Sequence, residues 1–104
     1  MLEVSVTDFA AAHQGGAAVI DVREPMEYVQ GHVPGATLIP MSRFTSMLDQ
    51  LPQDPFYVIC ASGNRSYTVA QFLARQGRTA LSVSGGTHAW QMRGYPLVQG
   101  MAAG

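Results

Sequence analysis

Apolar residues fall along this chain in two alternating rhythms. From Phe44 through Met47 and Leu48 to Leu51 they recur at the i, i+3, i+4, i+7 spacing that gathers them on one face of a helix. Val69, Phe72 and Leu73 repeat that rhythm in a second stretch, predicted as a helix from Ser66 to Gly77, with Gly77 where a left-handed C-terminal cap belongs. Between the two helices, Phe56-Tyr57-Val58-Ile59-Cys60 is short and apolar throughout, bounded by Pro52 to Pro55 on one side and a small polar loop on the other. A run of that length, rich in aromatic and β-branched residues, reads as a strand buried on both faces, as in the middle of a parallel sheet. Ala17 to Val22, Thr37 to Ile39 and Ala80 to Ser84 are further strand-length runs between turn signals.

Capping residues punctuate the pattern. Ser5-Val6-Thr7-Asp8 matches a capping box and opens a short helix that ends near Gly15-Gly16. Pro25 stands at a first helical position, where its missing N–H costs nothing, and the turn it opens closes around Gly31. Ser42 is placed to cap the helix that carries Phe44. Gly85-Gly86 turns the chain into a last short helix, Thr87 to Arg93, stopped by Gly94. The segment from Gln99 to Gly104 has no period and is expected to fray. Strands alternating with helices predict an α/β fold with a mostly parallel sheet. In such sheets ligands bind at the C-terminal ends of the strands. Cys60 ends the most strand-like segment, directly before a loop and a helix.

Composition narrows the possibilities. The 104 residues make one domain, with no repeat and no linker. The longest apolar run, Phe56 to Ala61, is far short of the ~20 residues a membrane helix needs. The N-terminus lacks a basic-then-apolar pattern, so a cytoplasmic protein without membrane association is expected. Net charge is −1 with the arginines scattered, which argues against a nucleic-acid partner. All the basic residues are Arg, so a Schiff-base lysine is excluded. With one cysteine no intramolecular disulfide can form. His13, His32 and His88 sit at no recognisable ligand spacing, and neither a metal nor another cofactor is expected. A monomer is expected as well.

What surrounds Cys60 decides whether it is a buried small hydrophobe or a nucleophile. A nucleophilic sulfur must be a thiolate, and a free cysteine titrates near ~8.5. Two neighbours can lower that value: the N-terminus of the helix starting near Ser66, with its unpaired N–H groups and partial positive charge, and the permanent cation of Arg65. Gly63 and Asn64 tolerate left-handed backbone angles, so the loop can curl its N–H groups into an anion-binding nest. On these residues alone, a thiolate site and a buried cysteine followed by an ordinary turn both stand.

Cys60-Ala61-Ser62-Gly63-Asn64-Arg65-Ser66 closely resembles the active-site loop of rhodanese domains, commonly C-R-S-G-x-R-S. Three further segments agree, in order: Ile20-Asp21-Val22-Arg23-Glu24; Tyr28 through Gly31-His32-Val33-Pro34-Gly35-Ala36; and Ser84-Gly85-Gly86 followed by Ala89-Trp90 and Gly94-Tyr95-Pro96. Ala61 departs from the pattern, where the family often has Arg. That position borders the pocket mouth and bears on which donor is preferred. The resemblance implies a five-stranded rhodanese-like fold with helices on both faces. It implies a thiosulfate sulfurtransferase that moves a sulfane sulfur from thiosulfate or a similar anionic donor to cyanide, a thiol or a protein acceptor. Cys60 would be the nucleophile and persulfide carrier. The backbone N–H groups of Ala61, Ser62, Gly63, Asn64 and Ser66 would cradle the persulfide, and Arg65 would orient the donor. Asp21 and Arg23 would lie near the pocket in a supporting role, ordering the loop by charge-assisted hydrogen bonds. His32 reads as structural, His13 and His88 as surface or satisfied histidines, Trp90 and Tyr95 as packing.

Two other classes compete. A phosphatase or arsenate reductase of related fold needs five residues between Cys and Arg to encircle a tetrahedral oxyanion, whereas only Ala61 to Asn64 intervene here. A non-turnover persulfide carrier or regulatory binding module would keep the fold without catalysis, although inactive rhodanese domains usually lack the cysteine present here.

Overall fold

The computed structural model describes the whole chain, Met1–Gly104. Five short strands, β1 (Glu3–Val4), β2 (Val19–Asp21), β3 (Thr37–Leu38), β4 (Phe56–Ile59) and β5 (Ala80–Val83), form one sheet in the order β1-β5-β4-β2-β3. Every pairing is parallel. Three α-helices, α1 (Val6–Gln14), α2 (Pro25–Gln30) and α3 (Asn64–Arg75), and a 3₁₀ segment connect them, and α4 (Gly86–Met92) follows β5. The chain is thus an α/β fold with a five-stranded parallel sheet, as its pattern and motifs lead one to expect. No helix is long and apolar enough to cross a membrane.

Strand alternation splits the core in two. Phe56, Val58 and Cys60 point to one face, where they pack with Ile20, Val22, Val69 and Leu73. Ile59 points to the other, among Phe9, Val19, Tyr28, Val83 and Trp90. Because side chains alternate along a strand, placing Val58 under α3 also places Cys60 there. The N-terminus of α3 therefore stands over the end of β4. Ser5 caps α1 as expected, accepting a hydrogen bond from the Asp8 N–H at 3.1 Å.

Several elements differ from the sequence-based expectations. β1 is an addition: two residues are too few to show a period, and Glu3–Val4 is a strand only because β5 offers an open edge. The helix foreseen after Ser42 is a 3₁₀ segment, Met41–Gln50, broken at Met47 with φ −119° and ψ 19°. Ser42 does not cap it; its hydroxyl donates to Glu24 Oε1 at 2.8 Å and ties the segment to α2. α3 begins at Asn64 instead of Ser66, entered through Gly63 at φ 105°.

The segment from Gln99 to Gly104, expected to fray, is tied to the loop after α2. Val98 bridges His32 in an antiparallel pair. Gly100 N–H donates to the Val29 carbonyl at 2.9 Å, and Gly35 N–H donates to the Ala103 carbonyl at 2.7 Å. His32 is fully buried and stacks on Tyr28 with ring centroids 3.6 Å apart. Its ring nitrogens face the carbonyls of Tyr28, at 2.9 Å, and Ala102, at 2.8 Å. The tail is held by main-chain atoms while its side chains stay exposed, which is why it carries no hydrophobic period.

Candidate active site

Cys60 follows the last residue of β4, and four residues separate it from Arg65. The loop is shaped from the far side by α4. Thr87 donates to the Cys60 carbonyl twice, from its N–H at 2.8 Å and its hydroxyl at 3.0 Å. His88 N–H donates to the Ala61 carbonyl at 3.0 Å. With those carbonyls drawn toward α4, the following amides turn inward. This approach requires glycine: at Gly86, φ 58°, a Cβ would collide with the Cys60 carbonyl oxygen and come within 2.7 Å of the Ala61 carbonyl.

The inward amides converge on the cysteine sulfur. Gly63 N–H reaches Sγ at 3.1 Å and Ser66 N–H at 3.3 Å. Ser66 Oγ lies 3.4 Å from Sγ and 2.7 Å from Ser82 Oγ, both serines being buried. The thiol donates to Ser66 Oγ, whose own hydroxyl donates to the Gly63 carbonyl at 3.2 Å; a thiolate instead accepts a hydrogen bond from the Ser66 hydroxyl, with Ser82 then donating to Ser66. Ser82 lies outside every motif of the sequence. Its signal there is weak: a polar side chain on the core-facing register of a buried parallel strand.

These contacts set the charge of the sulfur. Burial opposes the thiolate, but hydrogen bonds from the Ser66 hydroxyl and from the N–H groups of Ser66, Gly63 and Ser62 outweigh it, and the Cys60 pKa is lowered from the ordinary thiol value. The direction agrees with the sequence reading; the cause differs in part. The N–H groups at the start of α3 contribute as foreseen, whereas the Arg65 guanidinium is directed elsewhere. It forms a two-pronged ion pair with Glu27, Nη1 to Oε1 and Nη2 to Oε2, each at 2.8 Å. Chiefly through these bonds, and against some desolvation, the Glu27 carboxyl is held down at about 2, so the pair stays charged at any physiological pH. Its side chains are 36% and 37% exposed, and a pair so open to water adds only about 0–1 kcal/mol of stability.

Glu27 is not conspicuous in the sequence. Its place at the third position of α2, where its Oε1 accepts the Glu24 N–H at 3.0 Å, reads as helix capping and conceals the second partner. Asp21 and Arg23 take the structural role expected of them, with Arg23 in the cleft beside Glu27, but the segment they order is not the cysteine loop. In-register pairing with Ile59 turns the fully buried Asp21 to the face opposite Cys60. Arg23 grips its carboxylate through Nε, at 3.0 and 3.1 Å, and Nη2, at 2.8 Å. The same Nη2 holds the Gly31 carbonyl at 2.8 Å. The pair orders the end of α2; it makes no contact with the cysteine loop. Of the two loop residues that tolerate left-handed angles, Gly63 alone has a positive φ, and Asn64 is helical.

Cys60 is 0% exposed. The absolute rate of alkylation thus reports how accessible the buried sulfur is, and its pH midpoint reports the thiolate. For iodoacetamide the midpoint is expected below the ~8.5 of a free cysteine. Ser66→Ala is expected to raise it, because the hydroxyl gives the largest of the hydrogen bonds that lower it. Arg65→Ala should move it less. A larger shift for Arg65→Ala than for Ser66→Ala would show that the arginine, and not the loop, sets the charge.

The profile of the family described as "Rhodanese-like domain" matches residues 5–93. A sulfurtransferase from Allochromatium vinosum is 38% identical over 82 residues, 77% of this chain and 77% of that protein. The crystal structure of a rhodanese-related protein from Thermoplasma volcanium superposes with a TM-score of 0.87 at 33% identity, covering 94% of this chain and 98% of that one. That of a thiosulfate sulfurtransferase from Pseudomonas aeruginosa gives a TM-score of 0.81 at 26% identity, covering 97% of this chain and 20% of that one.

Proposed function

Because this chain belongs to the rhodanese-like domain family, we propose that it is a sulfurtransferase that carries sulfane sulfur as a persulfide on Cys60. The observation that carries this reading is the convergence of the Gly63 and Ser66 N–H groups on Sγ, at 3.1 and 3.3 Å. Donors aimed at one sulfur stabilise a thiolate before the reaction and a persulfide after it. The relative described as a sulfurtransferase supports the same chemistry.

Thiosulfate or a similar donor supplies the sulfur. The Cys60 thiolate attacks the outer sulfur of thiosulfate, the S–S bond of the donor breaks, and its electron pair leaves with sulfite. The transferred sulfur then sits ~2.05 Å beyond Sγ, inside a compact cradle of amides. In the second step cyanide or an acceptor thiolate attacks that outer sulfur and the Cys60 thiolate returns as leaving group. Cyanide departs as thiocyanate, a thiol as its persulfide. The four-residue spacing to Arg65 suits a single sulfur better than the three equatorial oxygens of a phosphoryl group.

Intact-mass spectrometry after exposure to thiosulfate tests the reading. A gain of one sulfur atom is expected, removed again by cyanide with release of thiocyanate. A protein whose mass never changes, or one that hydrolyses aryl phosphates at a substantial rate without any sulfur adduct, would overturn it.

A further inference from the structure

Beside the cysteine loop both nearby arginines are paired, and the one unpaired ionised group lining the pocket along Ser62, Gly63 and Asn64 is an acid, Glu3. Ala61, Ser62, Gly63, Asn64 and Ser66 carry no charge. Arg65 is paired with Glu27, and Arg23, which lines the same cleft as Glu27, is paired with Asp21. The N–H groups that converge on Sγ are already engaged by the cysteine itself. An anionic donor approaching Cys60 therefore meets no unpaired arginine there.

We propose that Glu27 is a specificity-determining residue. By filling the guanidinium fork of Arg65 with both carboxylate oxygens, it withholds that cation from the incoming donor and disfavours dianionic donors such as thiosulfate relative to organic sulfane donors of lower charge. This inference rests on the sulfur-transfer reading above. The physical reason is that the attraction between a cation and a donor grows in proportion to the donor's charge, so a free Arg65 would favour a dianion most. A carboxylate locked onto that cation turns the monopole into a compact dipole, whose field decays faster and favours neither charge class.

The surroundings of Glu27 fit the same class of donor. Together with Gln30, Gly31, Thr87, Gln91, Leu97 and the Asp21-paired Arg23 it lines a cleft of about 340 Å³. Thr87 in that cleft is the residue that holds the Cys60 carbonyl. Two glutamines and a threonine offer neutral hydrogen-bonding groups, suited to the organic portion of a persulfide or thiosulfonate and indifferent to a second negative charge.

Glu27→Gln tests the proposal with little structural disturbance. The amide oxygen can still accept the Glu24 N–H that Oε1 accepts now, so α2 keeps its cap. Two donors of similar size serve as probes: thiosulfate, a dianion, and methanethiosulfonate, a monoanion in which a methyl group replaces one charged oxygen. In both, the thiolate takes the outer sulfur and the electron pair leaves, with sulfite or methanesulfinate. Single-turnover loading of Cys60 is followed by intact mass at low and high salt.

Glu27→Gln is expected to speed loading from thiosulfate roughly tenfold and from methanethiosulfonate only about threefold, with the difference shrinking as salt screens it. Adding Arg65→Gln to Glu27→Gln should return the ratio of the two donors to that of the wild type. A merely structural role for Glu27 would alter both donors alike and show no salt dependence. If persulfide forms but the donor ratio is the same in all three proteins, Glu27 does not set specificity and the sulfur-transfer reading stands. If neither donor adds sulfur to any of them, the sulfur-transfer reading fails and this inference fails with it.

Discussion

Cys60→Ser is expected to lower sulfur transfer by roughly 10³-fold or more, to the level of the uncatalysed reaction, while the fold survives. The alcohol stays protonated where the thiol ionises, and its oxygen cannot form a persulfide. The three groups that converge on Sγ would find an oxygen in nearly the same place. Gly63 N–H and Ser66 N–H can donate to the lone pairs of the substituted hydroxyl, so neither amide is stranded. The stability change should be about 1 kcal/mol, which in a domain of this size lowers Tm by about 4–8 °C. The decisive pair of measurements is turnover and thermal melting on the same preparation. Residual activity within tenfold of wild type would mean that another group carries the sulfur. Loss of activity together with loss of the melting transition would say nothing for Cys60 as nucleophile, which is why serine is preferred to a larger residue.

Asp21→Ala is expected to destabilise the domain far more than Cys60→Ser, by about 3–5 kcal/mol. Asp21 has no exposed side-chain surface and the Arg23 side chain has 7%. Removing the carboxylate leaves a guanidinium buried with only the Gly31 carbonyl for company. Against a typical total of about 5–15 kcal/mol, such a loss consumes much of the stability of the domain. It corresponds to a fall in Tm of about 12–40 °C. The cost comes from stranding the charge more than from losing an attraction, and this has its own consequence. Replacing both partners, as in Asp21→Leu with Arg23→Met, should recover a large part of the loss, because neither charge then remains to be desolvated. Chemical denaturation of the single and double variants decides the matter. A double variant no more stable than Asp21→Ala would show that the geometry around Gly31, and not the unpaired charge, carries the effect.

The parts of the site that are legible in the sequence are contiguous in it. A strand, a cysteine, a glycine and a helix follow one another from Phe56 to Arg75, and each announces itself by composition or period within a few residues. Their order suffices to put the thiol at a strand end under a helix start. Ser66 and Gly63 belong to that local unit, so their N–H groups can be anticipated without knowing the rest of the fold.

The departure of Arg65 from its expected place has a simple geometric source. Its direction depends on where α3 begins, and the helix starts two residues earlier than its apolar stripe suggests. At 3.6 residues per turn, Arg65 thereby enters the first turn with a helical azimuth of its own and leaves the loop. Its side chain then meets α2. Asp21 differs for a related reason: its motif marks a strand end, but the face it points to follows from its register with Ile59. The tail after Val98 carries no readable signal because main-chain hydrogen bonds, which any residue but proline can make, hold it in place.

Alone, then, the sequence determined the α/β class, the order of helices and strands from α1 onward, and the position of Cys60 at the mouth of a loop. Those follow from periodicities and caps that act over a few residues of chain. Only the tertiary structure decided which charge answers which. Glu27 and Arg65 are 38 residues apart in the chain, and Ser66 and Ser82 are 16 apart. Whether an arginine is a free cation beside a thiolate or one half of a neutral pair is a matter of ångströms between distant segments, and those distances exist only once the sheet has set α2, α3 and β5 around the same strand end.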